Sequence, residues 1–208
     1  MNDFSIAMAL VDYIPVFLFG YAAALLQRDL YDKMTKASFA LFAAGTITVF
    51  AAGFLKATWK LLYAAGICDF AALNAMFFPV QSIGFLLAGA GILVMLCKKS
   101  GAKNATLLAA PPVFSGTFLF VGLMVAVLGC MDGGLCTIAA KMKKRCAVVC
   151  YVLSFVCSLC MGYLSSKDFA QAYMNWIAEI INVCGQGLFL AGTLALDKAG
   201  LKNYDWRK

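Results

Sequence analysis

Long apolar runs separated by short polar clusters make up almost the whole chain. Each run holds roughly 20 or more residues with few charges, which is the length that an α-helix needs to cross the hydrocarbon core of a bilayer. A helix also satisfies its own backbone hydrogen bonds, as lipid requires. The pattern predicts six transmembrane segments, at about Phe4–Leu26, Ala37–Leu55, Phe70–Cys97, Ala105–Met131, Cys146–Leu164 and Ala172–Leu196.

Prolines and glycines refine these boundaries. The second segment is predicted to continue as a helix to about Gly66. Pro111-Pro112 marks the start of the fourth segment, because proline is tolerated in the first turn of a helix and not in its interior. Val113–Met131 then forms an uncharged span, followed by a glycine-containing loop.

Composition supports the same class. Of 208 residues, 63% are hydrophobic and 13% are charged, whereas soluble domains carry about a quarter charged residues. We expect an all-α, polytopic integral membrane protein, with residues 1–208 forming a single transmembrane domain. The net charge of +7 comes from short basic clusters between the apolar runs, as in loops that face anionic lipid. Membrane lipid is therefore an expected partner and nucleic acid is not.

Weak internal similarity suggests a repeat with halves at residues 4–103 and 105–198. Lys33–Lys36 precedes the second segment as Lys141–Lys144 precedes the fifth, and Gly84–Gly89 resembles Gly187–Gly192. With three segments in each half, six spans would place the halves in inverted orientations, which is a common plan in transporters. Chance similarity between apolar runs is the alternative explanation of these matches.

The basic residues do not fit six simple spans. Six spans place seven basic residues on one side and ten on the other, whereas polytopic proteins normally show a clear bias. Three explanations remain open. The repeats are inverted, or the protein inserts in both orientations and forms an antiparallel homodimer, or the fourth segment is re-entrant. The last option places 14 of the 17 basic residues on one side.

The strongest candidate site is a polar stripe in the sixth segment. Asn175, Glu179, Asn182 and Gln186 are spaced four, three and four residues apart, so they share one helix face. A carboxylate at membrane depth costs on the order of 2–4 kcal/mol unless it is paired, hydrated or protonated. Glu179 is therefore a candidate proton carrier, cation ligand or lysine partner, whereas the alternative is a stripe that joins helices by hydrogen bonds.

The third segment offers a weaker counterpart. Asn74 and Gln81 lie seven residues apart on one face. Pro79 frees the backbone carbonyl of Ala75, and broken helices beside polar residues often form transporter sites. We expect a polar midplane cavity between segments three and six.

Secondary candidates lie in segments one and two. Asp12 precedes Pro15, and Lys56, Trp59, Lys60 and Tyr63 cluster near the end of the second segment. The lysines are either a clamp for anions or counter-ions for Glu179 or Asp12. The alternative is a snorkelling lysine pair with interfacial aromatic residues.

The absence of histidine excludes several chemistries. Histidine-ligated haem, histidine metal sites and Ser-His or Cys-His nucleophilic catalysis all require this residue, and the chain has none. We expect no cofactor, no metal and no catalytic residue. Cys157 and Cys160 form a C-x-x-C pair without a nearby cation, which favours packing over redox activity. Cys130 and Cys136 would flank the predicted glycine loop and bridge only in an oxidising compartment.

These features together predict a small secondary transporter or channel-like permease for an unidentified ion or small molecule. A non-catalytic receptor or partner subunit, binding a ligand, lipid or other helices, is the alternative. A membrane-embedded enzyme acting on lipid or thiols is a weaker one. Compactness and the lack of a targeting segment suggest a multi-pass protein of a bacterial plasma membrane.

Overall fold

The computed structural model describes residues 5–97, 117–164 and 172–204. These ranges contain helices and turns but no strand. Six helical stretches are long and apolar enough to cross a membrane, which confirms the predicted class of a multi-pass helical bundle. We call these stretches spans 1 to 6, and they are formed by helices α1 to α8.

Span 1 contains a break at its first charged residue. Helix α1 covers Ile6–Val11 and α2 covers Tyr13–Leu30, with Asp12 between them. Pro15 has no N–H to donate to the carbonyl of Val11. The helix is therefore interrupted at Asp12, the residue after Val11. The helix continues four residues beyond the predicted end at Leu26 and leads into a 3-10 turn.

Spans 2 and 3 follow the sequence pattern closely. Helix α3 is continuous over Lys36–Ala64, which confirms the predicted extension of the second segment. Span 3 comprises α4, Ala71–Ala75, and α5, Phe77–Cys97. The break between them falls at Met76, one turn before Pro79, because this proline cannot donate to the carbonyl of Ala75.

The prediction for the fourth segment was wrong at its end. Span 4 is α6, Thr117–Lys141, so the expected glycine loop is helical and Asp132 lies inside the span. Transmembrane helices tolerate glycine more readily than soluble helices do. The predicted start at Pro111-Pro112 lies outside the described residues. Spans 5 and 6 are α7, Arg145–Leu164, and α8, Ala172–Lys198.

The six spans form a ring in which each one packs against the next. The main helix contacts join α2 to α3, α3 to α5, α5 to α6, α6 to α7 and α7 to α8, and α8 closes the ring on α2. Phe19 of span 1 fills the centre. Its ring lies 6.0 Å from Phe85 and 5.7 Å from Phe189, and we call these three rings the aromatic layer.

Spans 3 and 4 run in the same direction. Gly89 packs against Val127 to Met131, whereas Gly134, further along α6, packs against Ile92, further along α5. The two halves therefore have the same orientation, and the predicted inverted repeat is not confirmed. Cys97 and Thr117 lie at opposite ends of the bundle.

One end of the bundle is strongly basic. Arg28 forms an ion pair with Asp197, the ammonium of Lys33 donates to the carbonyl of Tyr204, and the hydroxyl of Tyr204 donates to the carbonyl of Lys141. We call this the basic end. It holds nine of the eleven basic residues in the described ranges, namely Arg28, Lys33, Lys36, Lys141, Lys143, Lys144, Arg145, Lys198 and Lys202; the other two are Lys56 and Lys60.

This distribution resembles the one predicted for a re-entrant fourth segment, but it has a different cause. Helix α6 is long enough to span and does not turn back within Gly122–Lys141. The basic residues gather at one end because α5 and α6 are parallel. The charge pattern therefore becomes consistent with the bias that polytopic proteins normally show.

Candidate functional site

A buried ion cluster joins three spans at the end opposite the basic end. The ammonium of Lys60 on α3 forms an ion pair with Oδ2 of Asp12, at the break between α1 and α2. The same ammonium lies 3.9 Å from Oε2 of Glu179 on α8. The side chains of Lys60, Asp12 and Glu179 are only 14%, 10% and 7% exposed. One cation is therefore held between two acids from separate helices, with most of its side chain buried.

Lys56 adds a second positive charge one turn earlier on α3. Its ammonium lies 3.8 Å from the centre of the Phe77 ring and 5.3 Å from that of Phe78, within the range of a cation–π contact. Lys56 is also within electrostatic reach of Asp12 and Glu179. We call Asp12, Lys56, Lys60 and Glu179 the ion cluster, in which the formal charges balance.

Glu179 carries one carboxylate oxygen without a hydrogen bond among the described residues. Its Oε1 is buried and has no hydrogen-bond partner in the described structure. The carboxyl group of Asp12 lies within hydrogen-bonding reach of Glu179, so two acids share one site. Because buried acceptors without partners are costly, Oε1 is the position that a proton, a cation or a donor group would occupy with the greatest gain.

Polar and aromatic contacts surround the ion cluster. The hydroxyl groups of Tyr13 and Thr58 are 2.9 Å apart and join α2 to α3. The indole N–H of Trp59 donates to Asp69 at 3.0 Å, and its ring stacks on Tyr63. Trp59 and Tyr63 therefore link the end of α3 to the segment that follows, as interfacial aromatic residues do.

The structure brings only some of the predicted site residues together. Glu179 lies close to two of the secondary candidates, Asp12 and Lys60. Its contact with Lys60 is the one predicted if the lysines act as counter-ions. Asn175, Asn182 and Gln186 are half-buried on α8. They continue the polar stripe along α8 and remain predicted substrate contacts.

Segments three and six pack mainly against other helices, so the cavity between them stays a prediction. Helix α8 packs mainly against α2 and α7, whereas α5 packs against α3 and α6. Phe19 of span 1 lies between Phe85 and Phe189, where the cavity was expected. Asn74 is exposed on α4 and Gln81 is half-buried on α5, so the amides of the third segment and the stripe of the sixth belong to different helix interfaces.

Sequence reasoning missed two buried acids, Asp29 at the end of α2 and Asp132. Asp132 lies in α6 and is 2% exposed, and neither carboxylate oxygen has a hydrogen-bond partner in the described part of the chain. The sequence predicts a loop at Asp132 because Gly133 and Gly134 follow it. The apolar character of the sequence nevertheless continues to Ala140, and this continuity was the available signal.

The cysteines form no disulfide within the described ranges. Cys130 and Cys136 lie on the single helix α6 and do not flank a loop. Cys157 and Cys160 lie on α7, and Cys157 packs against Gly185 of α8. This contact is what a small packing residue makes.

No protein-family model matches the sequence, and neither a curated protein nor a solved structure does. Its function must therefore be inferred from the geometry of the ion cluster and of the bundle that holds it.

Proposed function

We propose that this multi-pass membrane protein is a small secondary transporter whose coupling centre is the ion cluster. The observation that carries this proposal is the position of Lys60 between two buried acids, Asp12 and Glu179, on different spans. Ionisable residues at membrane depth are costly and usually mark ion pathways or proton relays. A purely structural contact between these helices would need no charge, since amides or small residues join membrane helices at lower cost.

The cluster provides a physical basis for coupling. Lys60 pairs with two acids that compete for it, and the formal charges balance only when Lys56 is included. A proton or cation that binds Glu179 leaves Lys60 to pair with Asp12 alone, which weakens the attraction between α3 and α8. A ligand that changes this contact shifts the equilibrium between two arrangements of the spans.

The unsatisfied oxygen indicates the class of ligand. Oε1 of Glu179 is an acceptor without a partner, whereas the ammonium of Lys56 already lies on the Phe77 ring. The cluster therefore favours a proton, a small cation or a protonated amine over an anion. Asn182 and Gln186 lie on α8 one and two turns beyond Glu179 and are the proposed contacts for the rest of a substrate.

The basic end is proposed to face the cytoplasm, following the positive-inside rule. The ion cluster then lies on the outer side of the membrane, where the proposed substrate enters. A bacterial plasma membrane remains our proposal for the location.

The test uses purified protein reconstituted in liposomes that contain a pH-sensitive dye. A thermal-shift screen of alkali cations and amines first selects a ligand, since a ligand at one hundred times its Kd stabilises by about 2.7 kcal/mol. Addition of that ligand outside the liposomes should then move protons across the membrane. Glu179→Gln should abolish both the thermal shift and the proton movement.

The matched control is Asp197→Asn. It also changes an acid on α8 to its amide, but at the basic end, where Asp197 pairs with Arg28. This control should retain ligand-driven proton movement. Flux that survives Glu179→Gln would overturn the proposal. No ligand and no flux, with Glu179→Gln as stable as the parent, would instead support a partner subunit whose polar stripe binds other helices.

A further inference from the structure

Asp132 is a second buried acid, separate from the ion cluster. It lies nine residues before the end of α6 and is 2% exposed. Both of its carboxylate oxygens are buried without a hydrogen-bond partner in the described structure. Glu179 has a lysine within 4 Å, and Asp29, the other acid buried at the basic end, is paired with Arg28 at 2.8 Å. No such cation lies beside Asp132 in the part of the chain that the structure describes.

Its position places it on the far side of the aromatic layer. Tyr151 of α7 lies within electrostatic reach of Asp132, and its hydroxyl lies 3.2 Å from that of Thr193 on α8. Thr193 follows Glu179 by fourteen residues, so this level is about 21 Å along the helix from the ion cluster at 1.5 Å per residue. Phe189 lies between the two levels. The ion cluster and Asp132 therefore lie on opposite sides of the aromatic layer.

Within residues 5–97, 117–164 and 172–204, no charged group from a neighbouring helix approaches Asp132. Helix α5 carries no charged residue, α7 carries only Arg145 at its first position, and the charges of α8 lie at Glu179 and at its C-terminal end. The titratable neighbours in the described structure are Tyr151 and Cys136, with Cys150 beyond Tyr151. The remaining surroundings are apolar, with Met131 and Leu135 fully buried.

We propose that Asp132 is a second proton-binding site, which holds its carboxyl group as a neutral acid in this arrangement of the helices. An ionised carboxylate without a partner is the costliest state at such a position. A proton removes the charge and needs no further ligand. A metal ion would need several donors, and the described residues contain no group of three Cys, Asp or Glu side chains that would hold one.

The role of Asp132 in transport rests on the function proposed above. The presence of a proton on Asp132 does not depend on that function. Protons that cross between the ion cluster and the basic end must pass the level of Asp132. The hydroxyl groups of Tyr151 and Thr193 are the neighbouring groups through which a proton can leave when the contact between α6 and α7 opens. Asp132 is then the exchange site on the side of the basic end.

Infrared spectroscopy of the full chain in lipid bilayers tests the site directly. At neutral pH the parent should show the carbonyl-stretch band of a protonated carboxylic acid, and Asp132→Asn should lose it. Asp29→Asn is the matched control, because Asp29 is equally buried but paired with Arg28, and it should keep the band. Should Asp132→Asn fail to fold, Asp132→Glu should retain a protonated-acid band at a shifted frequency.

Two further results would overturn the proposal. Identical spectra for the parent and Asp132→Asn would mean that Asp132 is ionised. Loss of the band on adding sodium at constant pH would assign the site to a cation instead of a proton.

In liposomes, Asp132→Asn should stop proton movement while preserving the thermal shift by the ligand. Glu179→Gln should lose that shift yet retain the infrared band, which separates failure of the proposed function from failure of this site.

Discussion

At the scale of single residues, the free-energy cost of burying charge falls on a few acidic side chains. Lys60 offsets two acids in the ion cluster, Arg28 offsets Asp29 and Asp197, and Asp132 has no counter-ion in the described structure. The pattern of polar spacing identified Glu179 and its possible lysine partners. It did not identify Asp132, because a single acid followed by two glycines resembles a loop until its burial is known.

Removing the shared cation should destabilise the bundle. Lys60→Met leaves Asp12 and Glu179 close together without their nearest counter-ion, and the loss of one partner from a buried pair costs about 3–5 kcal/mol. The change should appear as a lower midpoint of thermal unfolding in detergent. Lys36→Met, an exposed position on the same helix, should change the stability by only about 0.5 kcal/mol or less.

Adding Asp12→Asn should recover part of this loss. With Lys60 absent, removal of one acid relieves the repulsion that it exerts on Glu179, so the double variant should be more stable than the sum of the single variants predicts. Coupling energies between contacting residues are typically about 0.5–3 kcal/mol. Strict additivity in a double-mutant cycle would show that Lys60 and Asp12 do not form the ion pair.

At the scale of helices, small residues determine how closely the spans approach. A Cβ atom added at Gly45 would meet the backbone of α5, 2.5 Å from the carbonyl oxygen of Gly84. Backbone atoms cannot move aside as a flexible side chain can. Spans 2 and 3 therefore pack with their backbones in direct contact, an arrangement that glycine permits in membranes.

This contact predicts opposite effects for two glycine substitutions. Gly45→Ala should force α3 and α5 apart and cost about 1–3 kcal/mol, as overpacking does. Gly187→Ala on α8 meets nothing within 4 Å, so it should be neutral or stabilise the helix by up to about 1 kcal/mol. Thermal unfolding of the two variants checks the difference. Equal stability of both variants would contradict the close packing of spans 2 and 3.

The sequence predicts the helices far better than their arrangement. Hydropathy and proline positions indicated the extension of α3 and the break near Pro79, because these features depend on local chemistry. The packing of Phe19 between Phe85 and Phe189 could not be predicted, since any apolar helix fits the same pattern. The same holds for the direction of α6 relative to α5, which depends on which faces meet.

At the scale of the whole molecule, the parallel orientation of the two halves explains why most basic residues of the described ranges lie at one end of the bundle. The described chain begins at Ser5, near the ion cluster, and reaches Tyr204 at the basic end, where Tyr204 contacts Lys33 and Lys141. The two ends of the described chain are therefore on opposite sides of the bundle. An even number of crossings would place them on the same side.

Epitope tags should report this orientation. A tag before Ser5 should be accessible to antibody on intact cells, whereas a tag after Tyr204 should become accessible only after the membrane is permeabilised, because the basic end is predicted to be cytoplasmic. Labelling of both tags on intact cells, or of neither, would contradict the parallel arrangement of α5 and α6. Labelling in the reverse order would retain the arrangement but invert the proposed orientation.

The same geometry constrains how two copies can be joined genetically. A water-soluble linker from the end at Tyr204 to the start of a second copy stays on one side of the membrane, so the second copy must insert upside down. Such a tandem protein would expose one ion cluster on each face of the bilayer. To keep both copies in the same orientation, the linker must contain a transmembrane helix of its own.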